Sequence, residues 1–121
     1  MRKDGKVDKI FSIVRRIEIK PLSVNEAWQG QRFKTALYKK YEVDLGRLLP
    51  RMEIPEGRLE VYYRFGLSSN ASDYDNCIKQ FQDILSKKYG FNDNRIYRAI
   101  IEKVDVNKKE EFIEFSIKKY G

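Results

Sequence analysis

Histidine is absent from the chain and cysteine occurs once, at Cys77. Those two scarcities remove much of enzyme chemistry. Without imidazole there is no Ser-His-Asp or Cys-His machinery, no histidine general base and no histidine-ligated zinc. With one thiol there is no intrachain disulfide and no cysteine zinc cage, a usage that fits a reducing compartment. Apolar runs are short as well. None approaches the roughly 18 residues needed to cross a bilayer, and no charged-then-apolar signal segment opens the chain. The expectation is a soluble, cytoplasmic protein with no membrane partner. Pro/Gly/Ser linkers, internal repeats and low-complexity tracts are lacking too, so residues 1–121 are read as a single domain with one modest core.

What is present in excess is positive charge: 25 Lys and Arg against 18 Asp and Glu, a net +7. A polyanionic partner suits that balance, although many solvated surfaces are equally basic. Between Trp28 and Lys40 the chain places Arg32, Lys34, Lys39 and Lys40 with no acid, interleaved with Trp28, Phe33 and Tyr38. Cations and aromatic rings together suit phosphate tracking and base stacking, which makes these four residues candidate DNA contacts. The competing explanation is that Phe33 and Leu37 belong to a helical core stripe.

The residue pattern predicts an α+β fold. Met1 to Lys9 is polar and reads as a frayed start. Ser12 to Lys20 alternates, with Ile13, Ile17 and Ile19 on one face, as a half-buried strand does. Pro21 to Gln31 reads as a loop. Phe33 to Leu49 carries Leu37, Tyr41, Leu45 and Leu48 at helical spacing and is closed by Pro50. Arg58 to Phe65 alternates again and runs into a polar loop, Gly66 to Ser72. A second helix over residues 76 to 89 has Ile78, Phe81, Ile84 and Leu85 as its apolar stripe, with Asp75 or Asn76 as cap and Gly90 as a left-handed stop. Ile96 to Val106 and Glu111 to Tyr120 are β-rich and flank a turn at residues 107–110, predicting a terminal hairpin. The order is strand, helix, strand, helix, strand, strand, and a mixed sheet with two helices against it is the economical architecture.

The chemistry concentrates in Asp73-Tyr74-Asp75-Asn76-Cys77-Ile78-Lys79 and the downstream Asp93. On an extended segment Asp73 and Asp75 would point the same way, with Cα atoms roughly 6.5–7 Å apart, and could share one hard cation. A third carboxylate arriving after the next helix would complete an all-oxygen site of the kind Mg²⁺ or Mn²⁺ prefers. Capping could account for Asp75 alone, but not for Asp73 as well. Asp93 stands in an Asn-Asp-Asn run where Asp is ordinary in turns.

The ordered string Asp73-x-Asp75-Asn76-x-x-Lys79-x-x-x-Asp83-x-Leu85, then Gly90-Phe91-x-Asp93 and Ile96, resembles the RusA family of Holliday junction resolvases, common in phages and prophages. The upstream Pro21-x-Ser23-x-Asn25-x-x-Trp28 is similar to that family's N-terminal loop. What the resemblance implies is a homodimeric, Mg²⁺-dependent endodeoxyribonuclease that resolves four-way DNA junctions by paired symmetric nicks in recombination and repair. It would work in a bacterial or phage-infected cell and use no nucleotide cofactor. By position, Asp73, Asp75 and Asp93 would be its metal-binding acids, Lys79 its catalytic lysine, and Asp83 a further acid on the same helix. One position departs from the pattern: many relatives have two acids in succession where this chain has Asn92-Asp93.

Lys79 has its own physical argument. It falls in the first turn of its helix, where the macrodipole disfavours a cation by roughly 0.3–1 kcal/mol. Its structural alternative is an i,i+4 pair with Asp83, in the weaker of the two orientations. A phosphate contact accounts better for a lysine kept there. Two other functions remain open on the sequence: a catalytically silent DNA-binding module whose acids cap and turn, and a metal nuclease for other branched DNA.

Overall fold

A computed structural model describes residues 13–30, 33–69 and 73–121. It is an α+β fold. The strands are β1 (Arg15–Ile17), β2 (Trp28–Gln29), β3 (Phe33–Lys34), β4 (Leu59–Leu67), β5 (Ile96–Asp105) and β6 (Phe112–Lys119). The helices are α1 (Val24–Ala27), α2 (Ala36–Leu48) and α3 (Ile78–Tyr89), and two 3₁₀ turns cover Tyr74–Cys77 and Asp93–Arg95. Four strands form one mixed sheet in the order β1-β6-β4-β5, and β2 and β3 form a small separate ribbon. None of the helices among the described residues is long and apolar enough to cross a membrane.

Local signals set the helix limits. The Thr35 hydroxyl accepts the Tyr38 N–H and starts α2, so Phe33 and Lys34 stay extended rather than opening the helix as expected. The Pro21–Gln31 stretch is more than a loop: Ser23 and Glu26 close a capping box around α1, and Trp28 and Gln29 pair with β3. Helix α3 ends at Gly90 in the left-handed conformation (φ 69°), its N–H bonded to the Ser86 carbonyl. That stop is the expected one.

The core lies between one sheet face and α2 and α3. Phe81 is fully buried and meets Tyr63, Phe65 and Phe115 edge-on at 5.3, 5.9 and 5.7 Å. Truncating such a ring to Ala removes roughly 3–5 kcal/mol. On α2 the buried side chains are Tyr38, Tyr41 and Leu45, followed by Leu49, whereas Leu37 and Leu48 are half exposed. Tyr41 and Leu45 are thus buried as expected, and at the two ends of the stripe either of two neighbours, Leu37 or Tyr38 and Leu48 or Leu49, satisfies the same helical period. The β2–β3 ribbon selects between them by placing Trp28 edge-on against Tyr38 at 5.4 Å. Strand β1 is also shorter than the alternation implied, and Ile13 is exposed.

The terminal hairpin does not form. Strand β5 pairs in parallel with β4, and β6 pairs antiparallel with the other side of β4, from Leu59 opposite Lys119 to Gly66 opposite Phe112. Burial explains the arrangement. Ile113, Phe115 and Ile117 make β6 the better interior strand, while β5 carries Arg98, Glu102, Lys103 and Asp105 and takes the edge. Asn107–Glu110 still turns the chain, with Glu110 N–H on the Asn107 carbonyl at 3.0 Å.

The face away from the helices is an ionic ladder. Arg16 reaches Glu114 at 3.2 Å, Arg64 reaches Glu114 at 3.4 Å and Glu102 at 3.6 Å, and Glu60 lies 3.6 Å from Arg98 and 3.7 Å from Lys118. At its end the Phe112 ring covers Gly66 so closely that a Cβ there would collide with it, and the Arg16 guanidinium stacks on that ring at 3.9 Å. Gly66→Ala should therefore destabilise the fold by roughly 1–3 kcal/mol through overpacking. Urea melts should show a lower midpoint with an unchanged slope.

Candidate functional site

The acid pair sits where β4 hands over to α3. Asp73 is extended (φ −74°, ψ 148°), but Asp75 already lies within the 3₁₀ turn Tyr74–Cys77, so the expected extended placement of both acids does not hold. The capping explanation fails as well. Asp73 occupies the cap position of the turn, yet its side chain makes no cap bond, and the turn closes instead through its backbone carbonyl, which accepts the Asn76 N–H at 3.2 Å. Neither Asp75 nor Asn76 caps α3, whose cap position is Cys77. Both carboxylates are exposed.

A residue without an expected role holds this turn. Gln80 is buried, and its Nε2 donates to the Leu22 carbonyl at 2.6 Å and the Asn76 carbonyl at 2.8 Å, binding the N-terminal loop to the acid turn. The sequence carried a signal for it. Gln80 lies three residues after Cys77 and four before Ile84, so it is a polar side chain on an apolar helix face.

Asp93 is brought elsewhere. Since β4 and β5 are parallel, α3 runs back across the sheet between them and its two ends lie at opposite ends of the strands. The first 3₁₀ turn is at the C-terminal end of β4, where Cys77 lines a cavity with Leu67, Ser68 and Ser69. The second is at the start of β4, where Arg95 donates to the Gly57 carbonyl at 2.8 Å and to Pro55. Twelve residues of α3 separate them, about 18 Å at 1.5 Å per residue. Within one chain Asp93 does not join the pair. Its charge instead helps hold the Tyr63 phenol above its ordinary pKa, after the larger effect of burial. Asn92 has a local duty: its Oδ1 accepts the Asn94 N–H at 2.9 Å.

Lys79 and Asp83 form the i,i+4 pair, 3.1 Å apart, with Lys79 mostly exposed. An exposed pair of this kind is worth roughly 0–1 kcal/mol and yields readily to a better anion. The basic segment is partly neutralised by acids just beyond it. Lys34 binds Glu42 at 2.6 Å and Lys40 binds Asp44 at 2.8 Å. Lys40 and Arg47 together hold the Asp44 carboxyl below its ordinary pKa. Lys39 is exposed, and Arg32 lies outside the described residues. Of the three rings, Tyr38 is buried and Trp28 packs on the core, leaving Phe33 exposed for stacking.

No protein-family model matches this sequence, and no curated protein matches it. The site must therefore be judged on its donors. Asp73 and Asp75 offer open, hard oxygen ligands of the type a divalent cation such as Mg²⁺ takes. Among the described residues, however, no three His, Cys, Asp or Glu side chains converge so as to hold a metal ion. The described residues of one chain supply an incomplete set.

Beside the acid turn is a cavity of about 210 Å³ lined by Lys20, Ser23, Glu26, Ser68, Cys77 and Glu111 among others. Burial, then the nearby Glu26 charge, pushes the Cys77 thiol from its ordinary 9.0 up to about 12. Cys77 is thus a neutral packing residue and no nucleophile at physiological pH. At pH 8 iodoacetamide should leave it unlabelled in the native protein and modify it rapidly in denaturant, as mass spectrometry would record. Fast native labelling would show that the thiol is open to solvent.

Proposed function

We propose that this protein is a Mg²⁺-dependent endodeoxyribonuclease of RusA type, acting on four-way DNA junctions as a homodimer. The observation that carries the reading is an exposed carboxylate pair at Asp73 and Asp75 that does no capping work and is fixed in place by a buried glutamine. An acid pair with no structural employment, followed at once by Lys79, matches the residue order of that family. When bound, Mg²⁺ or Mn²⁺ would be held by Asp73, Asp75 and Asp93 and would supply charge neutralisation and an activated water.

The dimer has a specific task in this reading. Asp93 stands about a helix length from the pair in its own chain, so a partner's Asp93 is the one that completes each set. Two composite sites then follow from one twofold axis, matching the symmetry of a junction cut on two strands. Lys79 presents its ammonium one turn beyond the acids, and a phosphate oxygen would displace Asp83 from it. Lys39, Lys34, Lys40 and Arg32 would track the backbone, the two paired lysines at the expense of their bonds to Glu42 and Asp44.

A silent DNA-binding module is the second reading, favoured by the closed Lys79–Asp83 pair and the incomplete acid set among the described residues of one chain. A labelled four-way junction incubated with Mg²⁺ or with EDTA separates the two. The nuclease should cut only with Mg²⁺, whereas binding in both and cleavage in neither establishes the silent module. Flap and other branched substrates in the same assay test junction preference.

Asp73→Asn, Asp75→Asn and Asp93→Asn should each abolish cleavage and retain junction binding. Mixing Asp75→Asn with Asp93→Asn should restore nicking of one strand, because the mixed dimer contains one intact composite set. Restoration would not occur if all three acids came from one chain. Lys79→Ala should slow single-turnover cleavage roughly 10²-fold, and Asp83→Ala should not. An equal defect in Asp83→Ala would make Lys79 a partner in a structural pair.

A further inference from the structure

Strand β5 is a sheet edge of a kind that soluble proteins seldom leave bare. It is ten residues long, contains no proline, and keeps an unbroken parallel register with β4 from Arg98 to Asp105. Among the described residues nothing pairs with its outer side. The opposite edge, β1, is protected by being only three residues long.

We propose that β5 pairs antiparallel with β5 of a second copy about a twofold axis at Ile100, joining two four-stranded sheets into one. This gives a surface to the homodimer invoked above, but it is argued from the edge itself and requires no cleavage of DNA.

The pleat limits the choice of register. Residues directly opposite one another in an antiparallel pair share a face, and neighbours along a strand do not. A twofold normal to the sheet must therefore pass through a residue facing its own copy. Centring on Arg98, Glu102 or Lys103 sets like charges together. Centring on Ala99 or Ile101 puts Arg98 or Glu102 opposite an isoleucine. Centring on Ile100 sets Arg98 opposite the partner's Glu102 and Ala99 opposite the partner's Ile101, all within the regular part of the strand. That register makes the strand complementary to itself.

The ladder on the open face is prepared for the join. Arg98 is 62% exposed and approaches Glu60 at 3.6 Å, and Glu102 is 41% exposed and approaches Arg64 at 3.6 Å. Both lie on the side of β5 shared with Ile100, since Glu60, Tyr62 and Arg64 are register partners of Arg98, Ile100 and Glu102. Pairing would run the alternating charges across the interface without a break. It would also lay the Ile96 end of the partner's β5 beside the Asp105 end of this one. That brings the partner's Asp93–Arg95 turn toward the end of β5 approached by the acid turn.

Sedimentation velocity at about 10–50 µM should find a dimer. Arg98→Glu and Glu102→Arg should each raise the dimer dissociation constant by about tenfold or more, since each change acts twice at a twofold. Mixed together they should recover a heterodimer, because every opposed pair is then of opposite sign. Circular dichroism of each variant checks folding. Should either variant fail to fold, the cysteine arm decides. Antiparallel partners have Cα atoms about 4.5–5.5 Å apart, within disulfide reach. Ile100→Cys should therefore oxidise to a covalent dimer, and Tyr97→Cys should not. A monomer at these concentrations would overturn the proposal. So would a dimer that Ile100→Cys fails to cross-link.

Discussion

Strand β4 is hydrogen-bonded along both sides, parallel to β5 and antiparallel to β6, and eight of its nine residues are buried. Moving β5 or β6 elsewhere would mean taking β4 apart. A parallel neighbour demands a crossover, and α3 is that crossover. Its direction fixes where the candidate acids and Lys79 arrive. The acid turn emerges where β4 ends, Lys79 rides on the first turn of the helix, and Asp93 returns where β4 began. The separation of the acids is a consequence of sheet topology and would survive any adjustment of side chains.

The charge of the molecule is similarly constrained by pairing. The excess of cations suggests a broad positive field, yet Lys34, Lys40 and Arg47 are matched by Glu42 and Asp44, and the open sheet face alternates its signs. Positive potential is thus less concentrated on the α2 region than the count of lysines implies. A polyanion would have to compete for partly engaged side chains, and salt screens its attraction along with theirs. Lys39, which is exposed, is better placed for that competition.

The elements were largely legible because their signals are local. The Gly90 stop, the Phe81–Leu85 stripe and the alternation of β4 each depend on a few adjacent residues. Pairing was not legible in the same way. Two β-rich segments separated by a turn read as a hairpin, and only the competition for the interior of the sheet sent β5 to one side of β4 and β6 to the other. Tyr41 and Leu45 in the α2 stripe were read correctly, but its ends were not, for a related reason: Leu37 and Leu48 fit the period, and the Trp28 contact that favours Tyr38 comes from outside the helix. At the site, the residue types and their order were readable and their separation was not. Sequence distance between Asp75 and Asp93 says nothing about direction until the strand pairing is known. Gln80 was readable in principle, as a polar residue in an apolar stripe.

Among the described residues strand β1 has a single partner, β6. Arg16 and Glu114, joined across that ladder, are 98 positions apart. During synthesis β1 therefore emerges early and waits, with nothing to bond until Phe112–Lys119 has been made. Meanwhile β4, α3 and β5 can assemble among themselves, since their contacts are far closer in sequence. Closing so long a loop carries an entropic cost that only the late β6 contacts offset. The sheet is thus completed by β6, the strand that locks the earlier-made β1 in place.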